Sequence, residues 1–166
     1  IILYELILKR IPLLGNILIS LLVGSVFLFI ASSLESHTND ALKIMLLAFS
    51  LNLIREIVKD IQDIDGDYNA QMKTLPIVLG KNRAAKIAFG LTIASILILA
   101  YYLNAYLYMQ TIAIIYFLIA VIAPLIYIAI KLFSAENKKD FKLISRLLKV
   151  VMLLGMLSMV VYYFII

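Results

Sequence analysis

Five apolar runs leave this chain one medium to fold in. They cover residues 11–33, 41–60, 82–103, 111–133 and 147–166, each close to the roughly 20 helical residues that cross a bilayer core of about 30 Å. Hydrophobic residues make up 64% of the chain, well above the roughly 45–50% of soluble domains. Hydrocarbon offers the backbone no water to bond to, so the spans must be helices. The expected fold is all-α, a multi-pass transmembrane bundle forming one domain over residues 1–166. The run 1–8 reads as the tail of a further apolar helix, and the chain opens on Ile1. We therefore expect the C-terminal part of a longer protein.

The connections are short. Residues 35–40 and 134–140 are polar breaks, and 104–110 is an aromatic interfacial turn. Pro12 suits the first turn of the first span, where its missing N–H is no loss. Pro124 should kink the fourth. Residues 141–150 carry Phe141, Ile144, Leu147 and Leu148 with lysines and Arg146 between them, a pattern that suits a segment lying along the interface. Gly15, Gly24, Gly90 and Gly155 suit close helix approach, and Asn16, Ser20 and Asn52 suit hydrogen bonds between helices. Tyr101, Tyr102, Tyr106 and Tyr108 read as an interfacial belt.

Charge orients the bundle. Fourteen of the fifteen Lys and Arg residues fall before span one, between spans two and three, or between four and five, and only Lys43 falls on the other side. Basic residues favour the cytoplasmic face, so that end should face the cytoplasm. The net charge of +5 follows from this bias and calls for no nucleic acid. There is no cysteine, which excludes disulfides and thiolate chemistry. His37 is the one histidine and reads as an ordinary loop residue.

The second span is the unusual one. Its apolar stretch stops at Arg55, after fourteen residues from Ala41. To cross, it must carry Arg55, Glu56 and Asp60 in its last turns, and ionisable groups there avoid lipid. Five of the ten acidic residues fall between positions 56 and 67. Glu56, Asp60, Asp63 and Asp67 recur at i, i+4, i+7 and i+11, within roughly 60° of one another on an ideal helix. Such a stripe repels itself unless a cation sits against it. Mg²⁺ commonly takes one or two carboxylates plus phosphate oxygens, and Lys59, Lys73, Lys81 and Arg83 flank the acids. Acid and base interleaved at a membrane surface suit a lipid diphosphate: metal on the acids, basic side chains on the outer oxygens. A divalent-cation transporter would use similar acids, but nearer mid-bilayer and without so many lysines beside them.

The residues REIVKDIQDIDGD, followed by KTLPIVLGK, resemble the second aspartate-rich motif of the UbiA-type intramembrane prenyltransferases. The likeness is greatest to the branch that transfers a geranylgeranyl group to geranylgeranylglyceryl phosphate. The resemblance covers the whole chain and implies helices five to nine of a nine-helix fold. It also implies Mg²⁺, a polyprenyl diphosphate donor and a lipophilic acceptor, with an aromatic quinone precursor as the alternative. Under it, Asp63 and Asp67 are the catalytic metal-binding pair, Asp60 a third metal ligand, and Lys73 a basic residue for the diphosphate. Arg55 and Lys59 extend the substrate-binding side. The opening YELILKRIPLLGN resembles the family's Tyr-x-x-x-Lys-Arg run with one extra residue, so either Lys9 or Arg10 fills its basic position. Gln71 stands where the family usually has Gly. The family's first aspartate motif is not in this chain.

Overall fold

The computed structural model describes residues 11–33, 38–106 and 110–165, and among these it is helical apart from short connections, with no strand. Helix α1 spans Leu14–Ser33 and α2 spans Thr38–Gln62. Two short helices, α3 (Ile64–Asn69) and α4 (Leu75–Leu79), carry the chain to α5 (Lys81–Tyr106). Next come α6 (Thr111–Phe117), one π turn (Leu118–Ile122), α7 (Ala123–Ser134) and α8 (Lys138–Ile165). The stretches 14–33, 81–105 and 111–134 are long and apolar enough to cross a membrane. Helices α2 and α8 are equally long but carry charged turns, α2 at its C-terminal end and α8 at its N-terminal end.

The centre of the bundle is α2, which packs against α1, α5 and α8. Ile54, Ile57 and Val58 of α2 are wholly buried among Ala84 and Ala88 of α5, Leu125 and Ile128 of α7, and Ile144 and Leu148 of α8. The most polar of the long helices is thus the one most enclosed by protein. Charge in a span is tolerated where it meets protein rather than lipid.

Four local expectations change. Residues 141–150 do not form a separate interfacial segment; they belong to one unbroken helix, α8. Phe141, Ile144 and Leu148 are fully buried, because helical spacing turns that apolar face onto protein instead of head groups. Pro12 stands outside α1, separated from it by Leu13 in the left-handed region (φ 68°). The irregularity around Pro124 is the π turn just before it. A wider turn relieves the clash of the proline ring with the carbonyl four residues back. Of the glycines, Gly24 does mark a close approach, since a Cβ there would lie 2.9 Å from the Met45 carbonyl oxygen on α2. Gly90 and Gly155 meet no neighbouring helix among the described residues.

Gln71 ends α3 in the left-handed conformation, φ 55°. Its N–H bonds the Tyr68 carbonyl at 3.0 Å, and that of Met72 bonds the Asp67 carbonyl at 2.9 Å. These paired bonds form the usual helix stop whose left-handed position favours glycine. The chain keeps the turn that a glycine would make, at the cost of a crowded Cβ. Gly80, at φ 86° and ψ 150° between α4 and α5, occupies a region open only to glycine.

Relief of the left-handed strain, about 1–2 kcal/mol, exceeds the extra backbone entropy that glycine loses, roughly 0.5–1 kcal/mol. Gln71→Gly is therefore expected to stabilise the protein modestly in detergent unfolding measurements, and Gln71→Val to destabilise it.

Candidate functional site at the charged end of α2

The backbone ladder of α2 runs on past its end. The Asp63 N–H bonds the Lys59 carbonyl at 2.9 Å, and the Asp67 N–H bonds the Asp63 carbonyl at 3.0 Å. Asp63 itself, at φ −100° and ψ 12°, is the joint between α2 and α3. The i, i+4 relation of Asp63 and Asp67 therefore survives, while the long acidic stripe expected from spacing is bent at Asp63.

The five acids are not equivalent. Glu56 is buried and paired with the guanidinium of its neighbour Arg55. Asp60 accepts a 2.8 Å hydrogen bond from the Asn16 amide of α1. Asp63 and Asp67 are half-buried, and Asp63 receives the Gln62 amide at 3.3 Å. Asp65 points out, with 80% of its side chain exposed, and meets Lys138 at 3.8 Å. Spacing predicts this separation of Asp65 from the rest.

Behind Asp60 runs a buried polar chain. The Asn52 amide of α2 donates to the Ser20 hydroxyl at 3.2 Å, and Ser20 donates to the Asn16 carbonyl at 2.6 Å. These three residues do join helices, as expected. A second effect of Asn16, fixing the carboxylate of Asp60, is not visible in one-dimensional spacing.

The basic residues divide in the same way. Lys59 and Lys73 are exposed beside the acids. Lys9 and Arg10 lie outside the described residues. Arg55 is half-buried, and its Nε is buried with no hydrogen-bond partner among the described residues. Thr74, next to Lys73, is buried too, and its hydroxyl has no partner among them. Thr74 was missed as a candidate, although it stands within the Lys-Thr-Leu-Pro string. Lys81 is occupied elsewhere: its Nζ donates to the Glu136 carbonyl and lies 5.3 Å from the centre of the Phe141 ring. That contact, with Lys138 against Asp65, brings the starts of α5 and α8 to the same end of the bundle as α3. The N–H groups of Asn137 and Glu136 hold the Asp140 carboxyl below the usual carboxylate range. At the opposite end, Lys43 sits 5.6 Å over the Tyr102 ring, beside an exposed Tyr101.

Among the described residues, no three acidic or imidazole side chains converge to hold a metal ion. The donor set still fits a hard divalent cation that takes one or two carboxylates and completes its shell with phosphate oxygens and water. A recess of about 380 Å³ between α3 and α4 is lined by Ile64, Asp65, Tyr68, Asn69, Pro76 and Ile77. It lies on the Asp65 side and includes neither Asp63 nor Asp67.

Fold and site together define an integral membrane protein with a carboxylate pair at the charged end of a helical bundle. Residues 1–157 match the UbiA prenyltransferase family, and the chain belongs to that family. It is 36% identical over 157 residues to a digeranylgeranylglyceryl phosphate synthase of Methanopyrus kandleri, covering 94% of this chain and 56% of that protein. A synthase of the same name from Methanococcoides burtonii is 40% identical over 167 residues, covering 96% of this chain and 56% of its own length. A third, from Methanosphaera stadtmanae, is 32% identical, with 95% and 57% covered. The chain thus spans little more than half the length of these curated relatives. No solved structure matches it.

A hydrogen bond to a carboxylate contributes about 1.5–3 kcal/mol. Asn16→Ala is expected to lose that much stability, and much less in an Asp60→Ala background, in a double-mutant cycle followed by unfolding. Equal losses in both backgrounds would remove the Asn16–Asp60 bond from the account.

Proposed function

We propose that this chain carries the diphosphate-binding half of an intramembrane prenyltransferase. The reaction moves a prenyl group from a polyprenyl diphosphate, geranylgeranyl diphosphate in the favoured case, to geranylgeranylglyceryl phosphate. The observation that carries this reading is the Asp63–Asp67 pair, half-buried and one helical turn apart at the mouth of the central helix. The names of the relatives above support the acceptor.

Asp63 and Asp67 would hold Mg²⁺ against the diphosphate, with Asp60 fixed behind them by Asn16. When bound, Mg²⁺ neutralises the charge that develops on the leaving diphosphate. Lys59, Lys73 and Lys9 or Arg10 would hold the outer phosphate oxygens, where their attraction grows as the allylic C–O bond ionises. Arg55, half-buried and paired with Glu56, extends the basic side of the site toward a further anionic group, such as the phosphate of the acceptor. Apolar walls would keep water from the allylic cation until the acceptor hydroxyl oxygen captures it, its proton passing to the departing diphosphate. By the basic bias of this end, the site faces the cytoplasm.

In the full-length protein, Asp63→Ala and Asp67→Ala are expected to lower turnover by on the order of a hundredfold or more at saturating Mg²⁺. Asp65→Ala is expected to retain most activity, its partner being an exposed lysine. Near-normal turnover by Asp67→Ala would remove the metal assignment.

The acceptor is tested separately by competition. With geranylgeranyl diphosphate as donor, geranylgeranylglyceryl phosphate should outcompete homogentisate and dihydroxynaphthoate, since neither aromatic acid carries a phosphate for Arg55. Preference for an aromatic acceptor would overturn the branch and leave prenyl transfer standing.

A further inference from the structure

Helix α8 presents two unlike faces. Phe141, Ile144, Leu148 and Val151 are buried in the bundle core. Lys139, Lys142, Arg146 and Lys149 recur at i, i+3, i+7 and i+10, and all four are exposed. At about 100° per residue they fall within roughly 80° of one another, in a stripe about 15 Å long. None has an ion-pair partner among the described residues. Asp140, the one acid of α8, is engaged by the N–H groups of Glu136 and Asn137 instead.

On the same side of the helix, within roughly two turns after Lys149, Val150, Leu153 and Leu157 are exposed. Among the described residues nothing packs on these side chains, and an uncovered apolar face of a membrane helix meets hydrocarbon, which places the cations preceding them on that face in the head-group layer. Length agrees. The 28 residues of α8 measure about 42 Å, close to the full thickness of a bilayer with its head groups. The uncharged stretch after Lys149 fills only the inner part of that distance, which leaves the stripe at head-group depth.

We propose that this face of α8 binds anionic phospholipids, with phosphates between successive rungs at Lys142, Arg146 and Lys149 and acyl chains along Val150, Leu153 and Leu157. This face is uniformly positive and runs on into apolar surface. That sequence of charge and then grease matches a ligand with an anionic head and a hydrocarbon tail. Arg146, central in the stripe, suits bidentate contact with phosphate. The site makes no use of Asp63 or Asp67 and stands whether or not prenyl transfer is correct.

The test uses the full-length protein in nanodiscs of phosphatidylcholine with and without phosphatidylglycerol. Native mass spectrometry then counts the lipids retained after release. Retention of phosphatidylglycerol over phosphatidylcholine is expected, falling as salt is raised. Lys142→Gln with Arg146→Gln should weaken the preference roughly thirtyfold, on the order of fivefold per charge. The control Arg83→Gln with Lys86→Gln, at exposed positions on α5, should leave it unchanged. Equal retention of both lipids, an unaltered preference in the α8 variant, or an equal loss in the control would overturn the proposal. So would selective displacement of phosphatidylglycerol by geranylgeranylglyceryl phosphate, which would make the stripe an acceptor site. Should the α8 variant fail to fold, the salt dependence of the wild-type preference decides: a preference indifferent to salt rejects the stripe.

Discussion

A helix that carries Arg55, Glu56 and Asp60 in its last turns cannot lie against hydrocarbon, and the arrangement of the bundle follows from that. Helix α2 takes the centre, covered by α1, α5 and α8, which frees it to carry polar groups along its length. Asn52 and Ser20 bond across the α1–α2 contact, and Gly24 lets the two helices approach closely. Glu56 is enclosed with its own arginine rather than left alone, because an unpaired buried charge costs several kcal/mol. The outer helices can then be almost wholly apolar, as α1 and α6–α7 are.

The same constraint sorts the acids. Those deepest in the bundle are taken by protein partners, Arg55 for Glu56 and Asn16 for Asp60. At the rim, Asp65 meets the exposed Lys138. Asp63 and Asp67 lie between these extremes, held by backbone geometry and half open. A half-open carboxylate can meet a metal ion and a phosphate arriving from outside while the protein still fixes its position. The joint at Asp63 turns α3 away from the α2 axis without breaking the i, i+4 relation.

Much of this was legible in the sequence. The apolar runs gave the helical bundle, and the Arg-Glu to Lys-Thr-Leu-Pro string gave the family. Periodicity placed Asp65 on a different face from Asp63 and Asp67. What was hidden depends on packing between distant segments. Residues 141–150 have the pattern of an interfacial helix, and only the presence of α2 beside Phe141 and Ile144 makes them part of a core. Gln71 looked like a departure from the family's glycine, yet the backbone there is left-handed all the same. The link from Asn16 to Asp60 joins residues 44 apart in sequence, and no local pattern announces it.

The central claim is that the Asp63–Asp67 pair supplies a carboxylate ligand to the divalent ion that carries the diphosphate. It is tested most directly by anomalous scattering from crystals of the full-length protein grown with Mn²⁺ and a non-cleavable thio-analogue of geranylgeranyl diphosphate. The account predicts a Mn²⁺ peak within about 2.1–2.3 Å of a carboxylate oxygen of Asp63 or Asp67, bridged to the diphosphate, near the distances typical of small oxygen-bound divalent ions. A fully occupied site touching neither residue, with the diphosphate bound elsewhere, would contradict it.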